Sequence, residues 1–171
     1  MLGALLDMQN DRSVNGKIIY PSLLPAGVHK IKLHQFEETF LNHFDEKRTR
    51  AYLCNRFREL LDELRKFKIN MIIWVDGSFC SLKPHPDDID IVIFLDESEI
   101  NGMQKAESDK LFVFLEKRDV IKARYRCDLF FEKLNDVKQY YYWKGLFSFN
   151  QLNEAKGFIQ IKVEANEYPI S

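Results

Sequence analysis

Asp88 and Asp90, separated by Ile89, stand at the head of an apolar run that ends at Leu95 and reads as a buried strand. Side chains alternate along a strand, so the two carboxylates project from one face. Two like charges one pleat apart, beside a hydrophobic run, repel each other and resist desolvation unless a positive charge lies between them. A divalent cation that prefers oxygen ligands is the natural partner. A second apolar run, Met71–Val75, precedes Gly77-Ser78, and nine residues separate Ser78 from Asp88. Glycine lets a ligand approach the backbone closely, and serine can cap a short helix whose free amides attract phosphate. The pattern is that of a site for a cation and a phosphate.

Gly77-Ser78 followed at this distance by Asp88-Ile89-Asp90-Ile91 resembles the signature of the DNA polymerase β-type nucleotidyltransferase superfamily. Asp128, in Arg126-Cys127-Asp128-Leu129-Phe130, is a candidate for the third acid of that family. The length is similar to that of the small, minimal members. Leu24-Pro25-Ala26-Gly27-Val28-His29, Asp76-Gly77-Ser78-Phe79 and Lys156-Gly157 resemble a bacterial branch whose substrates we do not assign. The resemblance spans Val75 to Phe130, about a third of the chain, and implies the polymerase β-like nucleotidyltransferase fold. It also implies metal-dependent transfer of a nucleoside monophosphate from a nucleoside triphosphate, usually ATP, to an acceptor hydroxyl. On that basis Asp88 and Asp90 would hold two Mg²⁺ ions, with Mn²⁺ as an alternative, and Gly77 and Ser78 would hold the β- and γ-phosphates. Asp128 would be a further metal ligand or the general base. Lys83 is a candidate triphosphate contact, with a solvated lysine as the alternative. The Ala-Arg-Gly common after Gly-Ser-x in the family is replaced by Cys80-Ser81-Leu82, so no arginine role carries over. Asp76 stands where the family has an apolar residue; bracing the loop and a place near the metal are both open to it, and it is not assigned to the site.

The elements that must position these residues follow from periodicity. Leu33, Phe36, Phe40 and Phe44 recur at helical spacing, and a longer helix is expected from about Glu46 to Phe67, with Leu53, Cys54, Phe57, Leu60, Leu61, Leu64 and Phe67 on one stripe. Its interleaved charges read as a solvated face. Pro84 and Pro86 hold the approach to Asp88 extended. Asp96–Ser108, with Asn101-Gly102, reads as a turn or loop, and a helix is expected over about Gln104–Lys117. The next strand is expected over Ala123–Phe131. Tyr125, Cys127, Leu129 and Phe131 would form one face of it, with Arg124, Arg126, Asp128 and Phe130 on the other. A plain Asp–Arg surface pair is the alternative there. The dense aromatics from Tyr140 to Phe149 suit core packing, a partner surface or stacking on a base. A final strand is expected over Phe158–Glu164.

The expected fold is therefore α/β (α+β), a mixed β-sheet with helices mainly on one face. With 171 residues it is read as one domain. It divides into an N-terminal arm (1–30), a helical segment (31–68), a catalytic core (69–132), and an aromatic segment with the last strand (133–171). The start could be a hairpin arm, with a turn at Asn15-Gly16, or a loose end. A net charge of −1 provides no global attraction to nucleic acid or membrane surfaces. No apolar stretch is long enough to span a bilayer, the start lacks signal-peptide character, and three unpaired cysteines suit a reducing, cytoplasmic setting. The acceptor stays open between protein, RNA and small molecule, as does a protein partner or a homodimer. The competing reading is a non-catalytic nucleotide- or metal-binding regulatory module, such as one half of a bacterial toxin–antitoxin-like pair.

Overall fold

The computed structural model describes residues 12–166. Its centre is a five-stranded mixed sheet in the order β3-β7-β4-β5-β6. These strands are β3 (Gly27–Ile31), β4 (Met71–Asp76), β5 (Ile89–Leu95), β6 (Cys127–Lys133) and β7 (Gly157–Val163). β4 runs antiparallel to both neighbours, while β3 is parallel to β7 and β6 is parallel to β5. A small hairpin of β1 (Ser13–Val14) and β2 (Lys17–Ile18) precedes the sheet. Asn15 and Gly16 both have positive φ at its turn, the backbone a two-residue hairpin needs. The hairpin is the one expected for the arm at Asn15-Gly16, while residues 27–30, also assigned to the arm, enter the main sheet as edge strand β3; residues 1–11 lie outside the described residues.

Six helices connect the strands: α1 (Phe36–Leu41), α2 (Arg48–Arg65), α3 (Glu97–Gly102), α4 (Lys105–Leu115), α5 (Arg118–Tyr125) and α6 (Val137–Ser148). Alternation along the strands makes two apolar faces. Ile73, Val75, Ile91, Ile93, Leu129, Ile159 and Ile161 pack against buried residues of α1, α2, α4 and α5. Trp74, Val92, Phe94 and Phe158 form the opposite face, which α6 covers with Trp143 and Phe147. α2 buries the stripe its sequence predicts, from Leu53 to Leu64. The aromatic segment is thus a helix with two rings in the core, while Tyr141 and Tyr142 are exposed.

Two expectations fail in instructive ways. Asp96 caps a real helix, α3, by accepting from the Ser98 amide at 2.8 Å, where a loop was expected. The strand expected over Ala123–Phe131 begins only at Cys127, because residues up to Tyr125 belong to α5. Ile121 and Tyr125, four apart, are both buried, and a helix buries such a pair on one side where a strand could not bury Tyr125 with Ile121 alone. Arg126 ends α5 in the left-handed region (φ 56°, ψ 30°). Arg124 and Arg126 therefore do not share a strand face with Asp128.

Arg50, on α2, is wholly buried despite the solvated face expected for that helix's charges. Its guanidinium donates to the carbonyls of Phe79 (2.8 Å), Ser81 (2.7 Å) and Lys83 (2.7 Å) and lies 3.8 Å over the Phe44 ring. Burial pulls its pKa down to about 10. A buried charge is costly unless its donors are used, and here both terminal nitrogens are engaged while Nε has no partner among the described residues. These three bonds hold the connection between β4 and β5 against α2. On its other side, that connection is pinned by Leu23 N–H to Cys80 O (3.0 Å) and Leu82 N–H to Pro21 O (2.9 Å).

Candidate functional site

β4 extends one residue further than its apolar run, so Asp76 is a strand residue paired with Asp90, and Asp90 is paired with Asp128 on β6. Residues paired across a sheet point to the same side. Three acids thus occupy one rung across three adjacent strands, and Asp88 lies two residues before Asp90 on β5. The next rung on the same face is Trp74, Val92 and Phe130. An apolar rung under α6 gives way to an acidic one at the sheet's end.

Each acid meets a different environment. Asp76 is buried, and both its oxygens accept from Lys156 Nζ, at 2.6 and 2.5 Å. Burial still outweighs the lysine and pushes the carboxyl up to about 6. Asp128 is nearly buried, and burial pushes it upward. Hydrogen bonds from Arg118 Nε to Oδ1 (2.6 Å) and Lys122 Nζ to Oδ2 (2.9 Å) outweigh that effect and hold it below the usual carboxylate range. Lys122 also reaches Asp88 Oδ2 at 2.8 Å and so bridges β6 and the residue that leads into β5. Its own pKa is held well above the ordinary lysine value by those two carboxylates. Arg118 and Lys122 stand four apart on α5, on one side of that helix. Arg118 is further anchored, with its guanidinium 3.8 Å over the Phe130 ring.

Asp90 differs from the others. Among the described residues, no hydrogen bond or ion pair reaches its carboxylate. It is pushed up to about 6 by burial first and then by the charges of Asp88, Asp76 and Asp128, with only distant relief from Lys122. Its carboxylate packs directly on Gly77, where a Cβ would stand 1.8 Å from Asp90 Oδ2. Gly77 also has φ +78°, a conformation that L side chains rarely adopt. The glycine that the sequence suggested for ligand approach is thus required by the neighbouring acid as well. Gly77→Ala is expected to force the carboxylate aside and to cost about 1–3 kcal/mol. Chemical denaturation checks this, and an unchanged midpoint would refute the packing role.

Gly77–Cys80 form a single 3-10 turn leading out of β4. Amides at such a start have no acceptor within the turn. The Ser78 carbonyl accepts from the Ser81 amide (3.2 Å) and hydroxyl (2.7 Å), whereas the Ser78 hydroxyl has no hydrogen-bond partner among the described residues. Lys83, the candidate triphosphate contact, instead pairs with exposed Asp87 at 2.9 Å. It has no link to the four acids of the rung and its flank. The structure thus brings together Gly77, Asp88, Asp90 and Asp128, with Ser78 beside them in the turn, and leaves Lys83 outside.

Sequence reasoning left Asp76 unassigned and missed the roles of Arg118, Lys122 and Lys156. Asp76 was legible as one more strand residue in the alternation of β4. Arg118 and Lys122 were legible only through helical spacing, in a stretch between the expected helix and the expected strand. Among the described residues, no three histidine, cysteine, aspartate or glutamate side chains stand arranged as a coordination group. The donor set nevertheless fits a hard cation: it is all carboxylate oxygen, and Asp90 is crowded by like charge without a counter-ion of its own.

Comparison with protein families matches residues 20–162 to DUF6932, a family of unknown function, and the chain belongs to it. No curated protein and no solved structure matches the chain. Among the described residues, no helix is long and apolar enough to cross a membrane.

Proposed function

We propose that this DUF6932 chain is a metal-dependent nucleotidyltransferase of the polymerase β-like fold, which moves a nucleoside monophosphate from a nucleoside triphosphate, ATP first among them, to an acceptor hydroxyl. The observation that carries the reading is the unpartnered Asp90 carboxylate, flanked on one rung by Asp76 and Asp128 and resting on the Gly77-Ser78 turn. Asp88, Asp90 and Asp128 would hold the ions, Mg²⁺ or Mn²⁺, which supply Lewis-acid stabilisation of charge on the transferring phosphate. The Ser78 hydroxyl and the turn's leading amides bind phosphate oxygens. Asp128, kept ionised by its cations, takes the acceptor's proton as that oxygen bonds to the α-phosphorus and the bond to pyrophosphate breaks. Arg50 keeps the turn in place through the carbonyls of Phe79, within it, and Ser81, just after it. Trp74, Val92 and Phe130 keep water from one side of the acids.

A second reading, a nucleotide- or metal-binding module without turnover, is favoured by one observation: both Asp128 oxygens are already engaged by Arg118 and Lys122. Calorimetry with Mg-ATP, together with transfer of α-labelled nucleotide in cell extract, separates the two. The enzyme is expected to release pyrophosphate and label an acceptor whose size the gel reports. Binding without label transfer would favour the module, and neither binding nor transfer would remove both.

A further inference from the structure

Lys122 stands where the acids most need positive charge. Its ammonium lies 2.8 Å from Asp88 Oδ2 and 2.9 Å from Asp128 Oδ2, joining the residue just before β5 to β6 across the site. Arg118 holds the remaining oxygen of Asp128. A divalent ion joining Asp88, Asp90 and Asp128 would therefore meet a resident positive charge on two of its three carboxylates. At such separations two like charges repel strongly in a partly buried setting.

The two cations differ in how easily they leave. Arg118 is stacked on Phe130 and bound through Nε, so its plane is fixed from two directions. Both side chains are equally exposed, but Lys122 has a flexible four-carbon stem and no aromatic ring packs on its ammonium among the described residues. It can swing into water and recover hydration.

We propose that Lys122 is the built-in counter-ion of the acidic rung, and that a divalent cation and the Lys122 ammonium exclude one another from it. The inference rests on the reading that Asp88, Asp90 and Asp128 take a divalent ion, and it adds a control on that event. Without metal, the lysine joins the Asp88 and Asp128 carboxylates. On metal entry it is released to solvent, or to an anionic ligand arriving with the ion.

The test uses the full chain and Mn²⁺ alone. Calorimetric titration of the wild type, Lys122→Met and Lys122→Arg is expected to show Lys122→Met binding about tenfold more tightly or better, the scale of one lost charged hydrogen bond. Lys122→Arg, which keeps the charge, is expected to bind no more tightly than the wild type. In the wild type, acetylation of Lys122 by an amine-reactive ester, followed by mass spectrometry, is expected to accelerate severalfold on adding Mn²⁺. Lys105, exposed and far along the chain, should be unaffected and serves as the internal control. Labelling of the wild type answers the question even if Lys122→Met fails to fold. Equal affinities, or Lys122 labelling indifferent to Mn²⁺, would overturn the exclusion while leaving the metal reading intact. Absence of Mn²⁺ binding in all three proteins would overturn both.

Discussion

Asp90→Asn is expected to lower nucleotidyl transfer about a thousandfold or more and, in the same molecule, to raise thermal stability at neutral pH. The two effects share a cause. Asp90 is crowded by three like charges and has no counter-ion among the described residues, so its ionised form is disfavoured in the folded state and its pKa rises to about 6 from the ordinary 3.8. A carboxyl raised by folding contributes stability that is fully present below the unfolded value and is lost as pH rises through the folded one. At pH 7.5 without metal the wild type carries that loss, on the order of 2–3 kcal/mol at 1.36 kcal/mol per unit. Asparagine is neutral at every pH and avoids it. The melting temperature of Asp90→Asn in chelator should exceed that of the wild type by several degrees at pH 7.5, with the gap closing near pH 4. Metal should stabilise the wild type and leave the variant unmoved. A variant less stable than the wild type at pH 7.5, in chelator, would show that Asp90 already has a favourable partner. Undiminished transfer would remove it from the chemistry.

Lys156→Met is the change expected to cost most in stability. Lys156 is the cation bound to Asp76, and both side chains are shielded from water, at 14% and 5% exposed. Breaking such a pair strands the remaining charge and typically costs about 3–5 kcal/mol. Asp76 can escape part of that by taking up a proton, because burial already raises its pKa to about 6. The loss should therefore be large at pH 8 and smaller at pH 5. Asp76→Asn combined with Lys156→Met leaves no stranded charge and should recover much of the stability at pH 8. Urea denaturation of the wild type and the two variants at both pH values checks this. A single mutant as stable as the wild type at pH 8 would mean the pair contributes nothing. The expected cost reflects position: the pair fastens the turn before β7 to the end of β4, next to the acids.

Local patterns determined a good deal of this protein. The apolar runs on either side of Gly77-Ser78 and Asp88-Ile89-Asp90 became β4 and β5, because period-two alternation with β-branched residues is a local signal. The stripe from Leu53 to Leu64 became α2 for the same reason at helical period. That Asp88 and Asp90 share a face follows from alternation alone. Family membership is also a property of the sequence, although it assigns no activity.

Other features depended on how strands align and helices dock. Register placed Asp76 and Asp128 on either side of Asp90, and no local pattern states which residue of one strand faces which of another. Short segments fit either period until packing decides: the expected strand from Ala123 takes in the last turn of the helix that delivers Arg118 and Lys122, and that helix has no counterpart in the sequence reading. Arg50 looks like any surface charge on α2 until the β4–β5 connection lays three carbonyls against it. Lys156 lies 80 residues from Asp76 in the chain and meets it only through the order of the sheet. Asp88 and Asp90 were legible as a pair because their own neighbours along the chain set their direction. Their counter-charges were not, because each comes from an element whose place only tertiary packing sets.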